Sequence, residues 1–195
     1  MSFIKILPLS RRRLDVLFEI YAEKEDYLRN ISNKLKMNPS LTFRILNRLY
    51  DAGFLIKRRI GKEIQYSINN NTDCKLLIAL LEEYHLERII ERSQNLKTAI
   101  NLILNNKELL KSSNKIYLFG SYVAGNFTEK SDIDILFVNE DKKLVSKTCR
   151  EVSVILGKDI NPIIYAKNKF NSDLLKLEPF LNSIVNNVRN RAIIK

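Results

Sequence analysis

The sequence predicts a two-domain protein of mixed α+β / α/β class. Three observations carry that expectation. In the first third, apolar residues recur at helical spacing and then switch to alternation. A long helical stretch follows. In the last third, short apolar runs interleave with helical patterns, as when strands and helices share one sheet. The expected division is residues 1–72, a helical linker with possible dimerisation helices at 73–112, and a second domain at 113–195.

The elements follow in order. "SRRRLDVLFEIYA", residues 10–22, spaces Leu14, Leu17, Phe18 and Tyr21 on one helical face after a candidate Ser10 cap. "EDYLRNISNKLKMN" sets Tyr27, Leu28, Ile31 and Leu35 on a second. "PSLTFRILNRLYDAGF" turns Leu41, Ile45, Leu46, Leu49 and Tyr50 inward and stops at Gly53. "LIKRRIGKEIQYSI" then alternates about Gly61-Lys62, a hairpin signal, and Asn69-Asn70-Asn71 closes the unit. From Asp73 to Ser112 the pattern is one long helix or two. Leu96, Ala99, Ile100, Ile103, Leu104 and Leu110 form a stripe suited to core packing or to a dimer seam. The lone His85 has no Cys or His at ligand spacing and is expected to be packed or exposed. Beyond it come strand "IYLF", a short helix, strand "IDILFV", a helix over 142–156, strand "INPIIY" and a helix from about Asn168.

Bulk properties narrow the classes. Hydrophobic content of 45% and charged content of 28% exclude a disordered chain. Formal net charge is +11, and residues 1–72 carry 14 Lys+Arg against 7 Asp+Glu, so most of the excess sits in the first third. A basic module of that size points to a polyanion such as nucleic acid. Cys74 and Cys149 fit neither a disulfide framework nor a metal site, and a reducing cytoplasm is expected. "MSFIKILPLSRRR" is too short in apolar residues for a signal peptide. No run reaches membrane-spanning length, so no membrane partner is expected.

Three helices and a basic hairpin, "MNPSLTFRILNRLYDAGFLIKRRIGKEIQYSI", resemble the winged helix-turn-helix of small bacterial and archaeal repressors over residues 8–71. With the third helix's apolar side inward, Ser40, Phe43, Arg44, Asn47 and Arg48 face out. Arg can pair with guanine edges, Asn with adenine, and Phe with a thymine methyl. Lys57, Arg58, Arg59 and Lys62 on the wing suit phosphates and a neighbouring minor groove. The expected partner is double-stranded DNA, read by a homodimer on paired half-sites.

The stretch "YLFGSYVAGNFTEKSDIDILFV", residues 117–138, carries two aspartates at i, i+2 on a strand. Asp132 and Asp134 therefore point to one side, and two converging carboxylates need a compensating cation. Mg²⁺, or Mn²⁺ in its place, takes carboxylate oxygens together with substrate phosphates. Gly120 lets backbone approach a ligand closely, and Ser121 offers a hydroxyl and an N–H where a phosphate is well placed. The chemistry these residues suit is a metal-clamped nucleoside triphosphate.

Gly120-Ser121, ten intervening residues, then Asp132-Ile-Asp134, with Gly125 and Ser131 in place, resembles the minimal nucleotidyltransferases of the polymerase-β-like superfamily. The resemblance covers about residues 95–180. It implies nucleotide contacts by Gly120, Ser121 and Ser131, metal ligation by Asp132 and Asp134, and nucleotidyl transfer with loss of pyrophosphate. Active members add a third carboxylate from a later strand. In "GKDINPIIYA" that position falls on Asp159, a candidate catalytic acid, or on Asn161, which is none, and spacing does not decide between them. The expected function is thus a DNA-binding transcriptional regulator that binds Mg-NTP, with transfer left open. The alternative is an antitoxin-type transferase that modifies a partner toxin and controls its own operon. A transferase acting on a small molecule or RNA is weaker, because no substrate domain is evident.

Overall fold

The computed structural model describes residues 9–70 and 74–195. All of "MSFIKILP" and the expected junction at 71–73 lie outside the described residues. Two compact units are present, Met1–Tyr84 and His85–Lys195. The boundary falls inside one helix, so the segment expected as a linker is shared between the units.

The first unit opens with α1 (Arg11–Glu23), β1 (Glu25–Tyr27), α2 (Leu28–Lys34) and α3 (Pro39–Asp51). A hairpin, β2 (Leu55–Ile60) and β3 (Glu63–Ile68), follows. Strand β1 was not foreseen, since Tyr27 and Leu28 extend the helical spacing of α2 backwards. It adds to β3 and makes an antiparallel sheet ordered β1-β3-β2. Helix α3 is capped by Asn38, whose side chain accepts from the Ser40 N–H at 2.8 Å, with Pro39 in the first turn. It closes where Phe54 N–H reaches Leu49 O and Gly53 N–H reaches Tyr50 O, both at 2.9 Å. Its buried face is Thr42, Ile45, Leu46 and Leu49. Leu41 is only half-buried and Tyr50 is exposed, so two residues expected inward are not. Ser10 precedes α1 without a side-chain capping bond.

An ammonium ties α1, β1 and α2 together. Lys34 Nζ donates to Glu23 Oε1 and to Asp26 Oδ2, each at 2.9 Å, and Asp26 is only 4% exposed. Burial alone would lower the pKa of Lys34; the bonds to Glu23 and Asp26 outweigh it and hold the pKa above its ordinary 10.5. A raised lysine pKa contributes stability that is present below the unfolded value and lost as pH climbs through the folded one. Lys34→Met strands a buried carboxylate. It is expected to cost about 1–3 kcal/mol, less than a fully buried pair because Lys34 is partly exposed. Urea melts at pH 7 and at strongly alkaline pH check this, with the difference from wild type closing above the lysine's titration.

Helix α4 (Cys74–Ile90) crosses the boundary between the units. Its first part joins the first unit, where Tyr21 and Tyr84 hydroxyls donate to Glu82 Oε1 at 2.6 Å and Asp15 Oδ1 at 2.8 Å. His85 is buried, the packed outcome of the two expected. Then come α5 (Gln94–Asn105) and α6 (Lys107–Ser112), giving three helices where one or two were expected. Leu96, Ala99, Ile100, Ile103 and Leu109 are buried in the core of the second unit. The stripe is therefore committed to its own fold, and a dimer seam built on it is not available. Leu104, expected in the stripe, is exposed.

The second unit continues with β4 (Lys115–Phe119), α7 (Ser121–Ala124), β5 (Ile133–Val138), α8 (Lys142–Leu156), β6 (Ile160–Tyr165), α9 (Lys167–Leu175), α10 (Pro179–Val185), a 3₁₀ turn (Val188–Asn190) and β7 (Arg191–Ile193). Its mixed sheet is ordered β6-β5-β4-β7, with only β5 and β6 parallel. Ile116, Leu118, Ile133, Ile135 and Phe137 pack on the α5 and α8 side, while Tyr117, Leu136 and Val138 pack with Phe170, Leu181 and Ile184 on the other. Covering both faces explains the near-continuous apolar runs of β4 and β5. Strand period puts Asp134 on the Leu136 side, the face carrying α9 and α10.

Candidate functional site

In β5, Asp134 is paired in register with Phe119 on one side and Asn161 on the other. Its Oδ1 accepts from Asn161 Nδ2 at 3.0 Å. Its other oxygen lies over Gly120, where a β-carbon would come within 2.2 Å of Asp134 Oδ2. Gly120 has φ 76° and ψ −151°, a conformation open essentially to glycine alone. The turn from β4 into α7 and the carboxylate on β5 thus occupy one another's space, possible only without a side chain at 120.

Gly120→Ala is expected to lower stability by about 1–3 kcal/mol. Gly157 is a partial control: with φ 60° and ψ 32° it lies in the ordinary left-handed region, and nothing lies within 4 Å of the site of a β-carbon. Gly157→Ala should show the ordinary left-handed penalty alone, and the excess at Gly120, read from urea melts, sums its rarer backbone region and the collision with Asp134.

Gly120 and Ser121 line an open cleft of about 390 Å³ with Phe119, Asn126, Phe180 and Ser183. Phe119 and Phe180 meet edge to face at 5.7 Å, tying α10 to the strand that delivers Gly120. Asn126, Phe180 and Ser183 were not expected here. The sequence around α10 carries no motif, and only the topology brings it to this face. Asp132 is exposed just ahead of β5, two residues from Asp134 and on the same side by strand period. Ser131 closes the turn before it: its hydroxyl accepts from Thr128 N–H at 2.8 Å, and its own N–H donates to Thr128 O at 3.1 Å. Asp159 lies before β6, exposed, its main-chain oxygen accepting from Ile133 N–H at 3.0 Å. Among the described residues no three His, Cys, Asp or Glu side chains gather as a metal site. The two-carboxylate donor set suits a hard cation that takes its remaining ligands from phosphate and water.

The first unit presents a separate surface. Ser40, Phe43, Arg44 and Arg48 are exposed along one side of α3, and Arg58, Arg59 and Lys62 are exposed on the wing. Asn47 and Lys57 engage each other: Lys57 Nζ donates to Asn47 Oδ1 at 2.6 Å and lies 4.0 Å from the Tyr50 ring centre. The structure therefore places seven of the nine expected DNA-facing groups in the open and pairs the other two.

A known family matches part of each unit. Residues 9–61 match the MarR family, and residues 100–194 match a family described as the nucleotidyltransferase domain. Two relatives come from Methanocaldococcus jannaschii. "Putative protein adenylyltransferase MJ0604" is 43% identical over 61 residues, 31% of this chain and 61% of its own length. "Putative protein adenylyltransferase MJ0141" is 33% identical over 85 residues, 40% of this chain and 81% of its own. The chain thus spans about three fifths of the length of the first relative. Among solved structures, an AntR antimony-specific transcriptional repressor superposes with a TM-score of 0.39 at 23% identity, over 47% of this chain and 78% of that one. With its MarR-type domain placed ahead of that region, the chain belongs to the nucleotidyltransferase domain family that includes these adenylyltransferase relatives.

Proposed function

We propose that the protein is a DNA-binding transcriptional regulator whose second unit binds Mg²⁺-nucleoside triphosphate. The observation that carries the nucleotide half is the seating of the Asp134 carboxylate on Gly120, beside a cleft wide enough for a ligand. Asp132 and Asp134 would hold Mg²⁺ (or Mn²⁺), while Gly120, Ser121 and the Asp132-side turn closed by Ser131 shape the phosphate end. Bound there, the cation neutralises triphosphate oxygens and makes pyrophosphate a better leaving group. Asn161 pairs with Asp134 across β5 and β6, which supports reading it, rather than Asp159, as the residue at the third-carboxylate position. That arrangement favours binding over fast transfer, because placing a second cation and deprotonating an attacking hydroxyl beside it call for a further carboxylate as ligand and proton acceptor.

A second reading has its own support: both relatives carry the name protein adenylyltransferase. In that reading ATP is the nucleotide and the acceptor is a hydroxyl on a partner protein, a toxin under antitoxin control being one such partner. Incubating the full chain with each labelled NTP and Mg²⁺, with and without co-purified protein, separates the two. Label on a protein favours transfer. Binding without labelling favours the regulator. No binding of any NTP at millimolar Mg²⁺ removes the nucleotide reading altogether.

For the DNA half, Arg44 and Arg48 read bases while Arg58, Arg59 and Lys62 contact phosphates, with a homodimer spanning two half-sites. The two buried free thiols suit the reducing cytoplasm such a regulator would occupy. No helix among the described residues is long and apolar enough to cross a membrane. Arg58→Ala is expected to weaken binding to all duplexes alike and to reduce the salt slope by about one. Arg48→Ala should cost about 1–3 kcal/mol on the preferred site and less on random DNA. Fluorescence anisotropy across a salt series measures both, and an unchanged slope in the wing variant would remove the phosphate assignment.

A further inference from the structure

The cleft beside Gly120 lacks one thing a triphosphate needs. None of its lining residues carries a positive charge. A triphosphate keeps net negative charge even with Mg²⁺ bound, and protein sites meet it with Arg or Lys. Two cations of this unit, Lys158 in the turn before β6 and Arg191 in β7, are engaged. Lys158 Nζ donates to Glu129 O at 2.7 Å. Arg191 is buried, with Nε donating to Val185 O at 3.2 Å and its guanidinium 5.7 Å from the Tyr117 ring centre.

Arg92 is different. It lies in the short connection between α4 and α5, ahead of the residues that match the nucleotidyltransferase family. It is exposed and has no carboxylate partner among the described residues. Its guanidinium extends to Gly125, where a β-carbon would lie 3.0 Å from Nη1 and 3.9 Å from Cζ. Gly125 has φ 79° and ends α7, the turn that Gly120 begins. Its chain neighbours, Ala124 and Asn126, both line the cleft. A planar fork of N–H donors is thus held at the cleft rim by a backbone position that makes room for it.

We propose that Arg92 supplies the phosphate-binding cation of the nucleotide site, reaching it from the helical segment that precedes the matched domain. The ligand group it takes is the triphosphate tail, not the base or sugar. The inference rests on the Mg-NTP reading above, and one set of titrations tests the two separately. With the full chain, calorimetric titration of Mg-NTP into Arg92→Ala is expected to show affinity about 10–100-fold below wild type, the range for losing charge-assisted hydrogen bonds. Arg92→Lys should recover part of the loss, because a point charge replaces the fork. Affinity for the parent nucleoside, which has no phosphate, should not change. If Arg92→Ala binds Mg-NTP like wild type while Asp134→Asn does not, Arg92 merely packs on Gly125; the inference is overturned and the metal site stands. An equal loss for nucleoside and triphosphate would also overturn it, since the effect would be general to the fold. If wild type binds no NTP, both readings fall together.

Discussion

Asp134→Asn is expected to abolish Mg²⁺-linked nucleotide binding while leaving the bare protein folded. The substitution is isosteric and the side chain is only half-buried, so its packing survives. Its consequences come from charge and donor count. Asp134 receives one hydrogen bond from Asn161 and presents its other oxygen over Gly120. An asparagine keeps one acceptor. If that oxygen stays on Asn161, an NH₂ group replaces the anionic oxygen on the Gly120 side. If it turns the other way, two amide donors oppose each other at Asn161. Either arrangement removes a cation ligand. Outer-shell partners of a metal are themselves worth roughly 10–100-fold in affinity, so loss of a ligand should exceed roughly 100-fold. In a melting assay, wild type should gain stability with Mg²⁺ and its preferred NTP in proportion to the logarithm of ligand concentration. Asp134→Asn should show no such gain, at an apo melting temperature near that of wild type. Equal stabilisation of variant and wild type would exclude Asp134 as a ligand.

Much of this site was legible in the sequence because its parts are local. Gly-Ser after an apolar run, and Asp-x-Asp opening another, need only strand period and turn chemistry to be placed. What was not legible depends on pairing between distant elements. The spacing of "GKDINPIIYA" left Asp159 and Asn161 open, since it does not state the register of β6 against β5. That register sets Asn161 beside Asp134. The same holds for β7, whose "RAI" reads as an unremarkable tail until β4 pairs with it. Strand β1 escaped for a related reason: three residues are too few to show alternation, and only β3 makes them a strand. The stripe from Leu96 onward was visible as a stripe, yet periodicity does not say what covers it, and the sheet of its own unit does. On the DNA-facing side, the direction of α3 was legible from its apolar spacing. The Lys57–Asn47 bond, which joins β2 to α3, was not.

Asn161→Asp carries the largest expected gain of function. In wild type the Asn161 amide donates to Asp134 across the parallel pair, so the site tolerates its carboxylate without a cation. A second carboxylate at 161 replaces that donor with like charge. Two unit charges about 4 Å apart repel by about 1 kcal/mol in water and about 4 kcal/mol near a protein surface, so the bare variant should be less stable than wild type by an amount in that range. The repulsion is relieved by a divalent cation, so millimolar Mg²⁺ without nucleotide should restore most of the lost stability, and EDTA should remove it again. Wild type should respond far less to Mg²⁺ alone. For transfer, the new carboxylate adds a ligand for a second cation and a proton acceptor within reach of an attacking hydroxyl, an effect of roughly 100-fold or more. Pyrophosphate release from labelled NTP measures it, with Asp134→Asn added to the variant as the inactive background. If the variant neither gains Mg²⁺-dependent stability nor releases pyrophosphate faster, residue 161 does not hold the third position. The remaining candidate is then Asp159, and wild-type transfer should fall by orders of magnitude on Asp159→Asn while Mg-NTP binding persists.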